Sequence, residues 1–118
     1  MTTVEFSMAD GGVFVVRFNG ALDMEGTLAV ENEFVFNVVT QKQGVLVDLS
    51  GVDFMASIGI RMLLGNAKVL HNRGGTMALL SPQPPVRAVL DSTGISPIIE
   101  VFDDEAAAIR HLSRADNG

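Results

Sequence analysis

The segment Val45-Leu46-Val47-Asp48-Leu49, entered through Gly44 and left through Ser50-Gly51, restricts the fold most. It is apolar on both faces of an extended chain. A strand of that kind must be flanked by other strands and covered on at least one side. The neighbouring segments supply what it needs. Val4–Met8 and Val13–Phe18 read as two strands joined at Asp10-Gly11-Gly12, a hairpin signal because both glycines accept positive φ. In the second strand Phe14, Val16 and Phe18 alternate with Val13, Val15 and Arg17, so one face is well supplied for a core. Thr76–Leu80 and Ile98–Phe102 read as two more short strands.

Helices fit between these strands. Residues 24–41 carry Leu28, Glu31, Val35 and Val38 at helical spacing, with Glu25 and Glu31 in the early turns. Phe34-Val35-Phe36 and Val38-Val39 also have strand propensity. Gly44 is a natural C-terminal stop. Ser57–Arg73 forms a second helix closed by Gly74-Gly75. Val86–Ser92 forms a third, with Pro85 suited to its first turn and Thr93-Gly94 ending it. Glu105–Leu112 forms a fourth behind Asp103-Asp104. The order ββαβαβαβα predicts an α/β protein. Its mixed sheet has about five strands, antiparallel in the N-terminal hairpin and mostly parallel in the remainder, with about four helices. A chain of 118 residues suits one domain, expected over 1–112, with 113–118 as a frayed tail.

Composition narrows the function. Hydrophobic residues are 47% and charged residues 19%, which fits a folded core and not a disordered chain. The absence of cysteine excludes disulfide frameworks, zinc-thiolate sites and thiol catalysis. The net charge is −6 and the eight Lys and Arg are scattered, so nucleic acid is not an expected partner. The N-terminal residues lack the basic and long apolar regions of a signal peptide. No apolar run approaches the roughly 20 residues of a membrane helix. A cytoplasmic protein without membrane insertion is expected.

Catalytic patterns are missing. There is no Gly-Lys-Ser/Thr phosphate loop and no dinucleotide glycine pattern, and Gly11-Gly12 and Gly74-Gly75 read as turns. His71 and His111 fall near helix ends, outside any metal or triad pattern. Asp48 and Asp53 could form a carboxylate pair, but a loop-capping role for Asp53 is the simpler reading. A binding protein, not an enzyme, is expected, with no metal or cofactor.

The informative stretch follows the central strand: Val52-Asp53-Phe54-Met55-Ala56-Ser57-Ile58-Gly59-Ile60. Ser57 stands where a helix begins. It reads as an N-cap whose hydroxyl accepts an amide hydrogen bond. It also reads as a phosphorylation site, because unpaired amides and the dipole at a helix N-terminus favour a dianion. Along that helix Ile60, Leu63, Leu64 and Ala67 share one face, with Leu70 at its margin. Ile58, Met62, Gly65 and Val69 make a second apolar stripe nearly opposite, flanked by Arg61, Lys68, Asn66 and Arg73. Neighbouring helices bury that stripe, or it forms a docking surface together with Ser57. Met62→Glu separates the two: docking predicts lost binding in an intact fold, and core predicts unfolding.

The opening hairpin, Gly20-Ala21-Leu22-Asp23 before a helix, Val47-Asp48-Leu49-Ser50-Gly51-Val52 and Phe54-Met55-Ala56-Ser57-Ile58-Gly59-Ile60 form an ordered set. Gly74-Gly75 before a strand, Pro85-Val86, Leu90, Thr93-Gly94-Ile95 and Val101-Phe102-Asp103-Asp104-Glu105-Ala106 complete it. In that order the chain resembles the STAS domain (sulfate transporter and anti-sigma factor antagonist) in its stand-alone bacterial form, the anti-sigma factor antagonist or anti-anti-sigma factor. The resemblance covers nearly the whole chain and implies a STAS-like sheet. It implies partner switching in transcription regulation. The antagonist binds an anti-sigma factor that is also a serine kinase, phosphorylation ends binding, and a phosphatase restores it. The family motif is close to Asp-Ser-Ser/Thr-Gly. Ala56-Ser57-Ile58-Gly59 matches it, with Ser57 in the place of the phosphorylated serine and Gly59 as the glycine. Ala56 departs from the acidic residue and Ile58 from the second hydroxyl. Together with the second stripe, the expected partner-binding residues are Asp23, Asp53, Met55, Ala56, Ser57, Ile58, Gly59, Met62 and Val69. Two other readings stand beside this one. One is a constitutive, non-phosphorylated STAS adaptor in a signalling assembly or transporter complex. The other is a small-ligand or nucleotide module resting on Gly51 and the helix start at Ser57. The second stripe also leaves a homodimer open.

Overall fold

The computed structural model describes residues 1–95 and 98–117. Five strands and four helices alternate as expected: β1 (Thr3–Met8), β2 (Phe14–Asn19), α1 (Met24–Val39), β3 (Gly44–Gly51), α2 (Ser57–Asn72), β4 (Thr76–Leu80), α3 (Pro84–Ser92), β5 (Glu100–Phe102) and α4 (Glu105–Asn117). The strands form one sheet in the order β1-β2-β3-β4-β5. β1 and β2 are antiparallel, and every later pairing is parallel. The hairpin turns through Gly11 and Gly12, both at positive φ. A side chain there would be strained.

The topology decides the layers. Each parallel connection steps one strand further in the same direction. Right-handed crossovers of that kind put their helices on one face. α1, α2 and α3 accordingly share a core with Phe14, Val16 and Phe18 of β2, Val45, Val47 and Leu49 of β3, and Met77 and Leu79 of β4. Phe18 and Phe34 meet there with ring centres 5.2 Å apart. The alternate residues Val13, Val15, Leu46, Ala78 and Leu80 face the other way, onto Ala108 and Leu112 of α4. Arg17 and Asp48 pair in register on this second face, with Arg17 Nε 3.3 Å from the Asp48 carboxylate and an Arg17 terminal nitrogen 3.7 Å from Glu105. The one charged residue of the central strand is thus matched by a cation on its neighbour. Asp48 also accepts from the Ser50 amide at 2.9 Å, and the partners of its carboxylate are thus Arg17 and that amide, while Asp53 is exposed.

Several boundaries differ from the sequence expectation. α1 ends at Val39, not Gln41, and the Arg73 guanidinium just past α2 donates to the Val39 carbonyl. A cation there satisfies an orphan acceptor at the negative end of the helix. β5 starts at Glu100, because the amides of Ile98 and Ile99 turn back onto the Ile95 carbonyl, each at 2.9 Å. α4 continues through Asn117, where a tail was expected from Ser113, since neither Gly nor Pro interrupts the chain before Gly118. Gly118 itself lies outside the described residues.

The faces of two helices also need correction. α1 buries Gly26, Thr27, Val30, Phe34 and Val38, so Leu28 and Val35 point outward. On α2 the expected face (Ile60, Leu63, Ala67, with Leu70) is buried and Leu64 partly so, but Met62 is buried as well, at 3% exposure. Met62 packs in the core shared with α1, which lies against α2. The second stripe is therefore broken in its middle: Ile58 is half-buried, and Gly65 and Val69 are exposed. Met62→Glu is expected to destabilise the domain by about 3 kcal/mol or more, because it buries an unpaired charge. Val69→Glu should change stability by no more than about 0.5 kcal/mol. Thermal unfolding followed by circular dichroism compares the two, and equal melting temperatures would show that Met62 is not core.

Candidate functional site

Parallel strands bring the starts of the following helices to one end of the sheet. At that end the β2–α1 and β3–α2 loops are joined through their backbones. The Gly20 amide donates to the Gly51 carbonyl at 2.9 Å, Leu22 to Phe54 at 2.8 Å, and Ala56 back to Leu22 at 3.0 Å. Leu22 and Met55 form a parallel bridge, and both side chains are fully buried. Extended pairing beyond the strands holds Asp23 and Ala56 side by side as the N-caps of α1 and α2. The third loop joins them where the Gln83 amide donates to the Ser50 carbonyl at 2.7 Å.

Ser57 is exposed and is the first residue of α2, one position inside the expected cap. The pairing explains the offset: Ala56 is held extended (φ −96, ψ 171) by its bond to Leu22, so the helix begins after it. The Ala56 carbonyl accepts from the amides of Gly59 at 3.0 Å and Ile60 at 3.3 Å. The helix offers no acceptor to the amides of Ser57 and Ile58. The methyl group of Ala56 cannot cap them either, so the start of a 16-residue helix keeps its donors and its positive dipole end available. Arg61, exposed and one turn further on, lies on the side of the helix that Ser57 occupies.

Asp23, Asp53, Met55, Ala56, Ser57, Ile58 and Gly59 lie at this end, whereas Met62 and Val69 lie further along α2. Asp23 accepts from the Gly26 amide at 2.7 Å and so caps α1. Asp53 is exposed and makes no side-chain hydrogen bond among the described residues. Met55 and Gly59 are buried and Ala56 and Ile58 are half-buried. Val69 is exposed but three turns along α2, and Met62 belongs to the core. Buried Met55, Gly59 and Met62 shape the surface from beneath and cannot touch a partner as the fold stands. The sequence reading missed Phe54, whose ring is exposed beside the joined loops. Its alternation with Met55 in an extended segment was the available signal. His111 stacks obliquely against Phe102, with ring centres 5.4 Å apart and Nε2 3.7 Å from Glu100, remote in sequence from this site. Among the described residues no three His, Asp or Glu side chains gather as a metal site requires, and no helix is long and apolar enough to cross a membrane.

Gly59 is the spacer on which the arrangement rests. A Cβ there would stand 3.0 Å from the Leu22 carbonyl oxygen and 3.2 Å from both Leu22 Cβ and Met55 Cγ. Gly59→Ala is expected to cost about 1–3 kcal/mol by forcing α2 off the paired loops. Gly65→Ala on the same helix, with open space around it, should stabilise by about 0.5–1 kcal/mol. Urea unfolding of both variants checks the contrast, and a loss of stability in Gly65→Ala or none in Gly59→Ala would overturn it.

Comparison with known proteins agrees with this geometry. Residues 8–108 match the family model of the STAS domain. An anti-sigma F factor antagonist of Paenibacillus polymyxa is 30% identical over 102 residues, covering 86% of this chain and 87% of that protein. The crystal structure of an anti-sigma factor antagonist from Mycobacterium paratuberculosis superposes with a TM-score of 0.83 at 25% identity, covering 95% of this chain and 94% of the other. The anti-sigma factor antagonist SpoIIAA shares the fold in its unphosphorylated form (TM-score 0.75, 24% identity, 92% and 96% covered). So does the Bacillus SpoIIAA in its phosphorylated form (TM-score 0.68, 23% identity, 92% and 98% covered). The family model spans most of the sequence and the solved relatives share its sheet and helices, and the chain belongs to the STAS domain family.

Proposed function

We propose that this protein is an anti-sigma factor antagonist, that its partner is an anti-sigma factor with serine kinase activity, and that phosphorylation of Ser57 switches the interaction off. The names of its relatives support the first part. The observation that carries the switch is the position of Ser57: an exposed hydroxyl on the first residue of α2, beside amides that the helix leaves unpartnered. A kinase transferring the γ-phosphoryl group of ATP forms the Ser57 Oγ–P bond, breaks the bond to ADP and passes the hydroxyl proton to a base. The product adds a charge of about −2. The fold tolerates it, since the helix start favours an anion and Arg61 stands one turn away. A desolvated protein contact does not, because the charge meets the half-buried Ile58 and the exposed Phe54 and no cation supplied by these loops. Hydrolysis by a phosphatase restores the hydroxyl and the contact. The setting that this function requires is the cytoplasm.

Ala56 and Ile58 favour a second reading, a constitutive adaptor, because they replace the acidic and hydroxyl residues that flank the phosphorylated serine in the family motif. One experiment decides between them. The unmodified protein is mixed with its cognate anti-sigma kinase, with and without Mg-ATP, and binding is measured by titration calorimetry. The switch predicts a complex that phosphorylation weakens by on the order of 100-fold or more, since an uncompensated buried charge costs about 3–5 kcal/mol. Ser57→Asp should mimic that loss, and Ser57→Ala should stay bound in the presence of ATP. The melting temperature of the phosphorylated protein should not fall. Equal binding by Ser57→Asp and wild type, with no phosphate incorporated, would sink the switch and establish the adaptor.

A further inference from the structure

The outward face of α1 carries four exposed large apolar side chains: Met24 (66%), Leu28 (58%), Val35 (37%) and Phe36 (71%). Met24, Leu28, Glu31, Val35 and the half-buried Val39 follow one another at spacings of four, three, four and four. At about 100° per residue they fall within an arc of about 80°. The stripe is thus apolar except at its centre, where Glu31 is half-buried. α1 contains Glu25, Glu31 and Glu33 and neither Lys nor Arg. None of its carboxylates belongs to an ion pair among the described residues. The stripe lies roughly 110° around the helix from the buried face of Gly26, Thr27, Val30, Phe34 and Val38, and its exposed Met24, Leu28 and Val35 are not needed for the core.

We propose that this face of α1 docks a basic amphipathic helix of a partner protein, whose apolar side chains seat on Met24, Leu28 and Val35 and whose Lys or Arg meets Glu31. The charge arrangement selects this occupant over a second copy of the chain. Glu31 lies at the midpoint between Met24 and Val39. A two-fold pairing of α1 with itself centred on the stripe, parallel or antiparallel, brings the two Glu31 carboxylates within a turn of each other inside an apolar contact. Like charges there oppose association. A cation on the incoming helix removes that cost, and Glu25 and Glu33 add attraction at the rim. The face runs from the joined loops at Met24 to the opposite end of the helix at Val39.

The test uses the whole protein, labelled with ¹⁵N, and two amphipathic helical peptides of about 18 residues, one built from Leu and Lys and one from Leu and Glu on the same pattern. The Leu/Lys peptide should bind saturably and shift the amides of Met24, Leu28, Glu31, Val35 and Phe36, and the Leu/Glu peptide should not. Leu28→Glu should weaken the Leu/Lys peptide by about tenfold or more. Glu31→Lys should reverse the preference in favour of the Leu/Glu peptide. Both positions are outward, so unchanged circular dichroism spectra confirm that each variant is folded. Three results would overturn the proposal: binding of neither peptide, shifts confined to another face, or an unreversed preference in Glu31→Lys. Sedimentation showing a dimer that Leu28→Glu dissolves would overturn it in favour of a second copy.

Discussion

The backbone pairing of Leu22 with Met55 organises the functional end of this protein. It lies beyond the last residues of β2 and β3, where two parallel strands would normally part into separate loops. Holding both segments extended for a few more residues fixes where each helix can begin, and so fixes Ser57 on the surface at the head of α2 and Asp23 at the head of α1. The pairing needs a close approach that only Gly59 permits, and it places two large side chains, Leu22 and Met55, under the loops as a floor. The loops at this end are therefore rigid in a way that their composition does not announce. In the proposed switch this pinned surface presents one hydroxyl to a kinase and the same contour to a binding partner.

Much of this was legible in the residues. The central strand, the hairpin, the order of elements and the glycine stops could be read because local pattern and tertiary role agree there. Val45 and Val47 face one layer and Leu46 the other, so an unbroken apolar run has a single interpretation. The reading failed where two apolar patterns compete on one helix. In α1 the stripe through Leu28 and Val35 looks as good as that through Val30 and Phe34. The choice belongs to Gly26, whose lack of a side chain lets the helix settle against the Ala21 carbonyl and Thr2. In α2 the sequence leaves Met62 between core and docking surface, because it shows a helix as a cylinder with one neighbour, whereas α2 has both the sheet beneath it and α1 beside it. The one-residue error at Ser57 has the same origin: a cap is set by where the preceding chain is pinned, and the pin is a partner segment more than thirty positions away.

The two faces of the sheet carry unequal loads. Successive right-handed crossovers oblige three helices to share one face, and the larger core forms there, with the Phe18–Phe34 contact inside it. The other face receives what remains: a smaller apolar cluster, and an ion network in which Arg17 holds the central strand's Asp48, Glu105 and the Ser7 hydroxyl. The polar group in the middle of the sheet is affordable because it sits on the thinner side, toward solvent, and not in the main core.

α4 closes that thinner side, and its connectivity differs from that of every other helix. α1, α2 and α3 each link two strands of the described sheet, whereas α4 follows the last of them. Removing it would break no strand pairing among the described residues. What it would leave behind is not a tidy shorter protein. Val13, Val15, Leu46, Ala78 and Leu80 would become a bare apolar plate on the middle of a pleated sheet. The last helix of this chain is therefore better understood as a cover than as an extension: cut it back past Ala108 and the molecule loses a wall, not a tail.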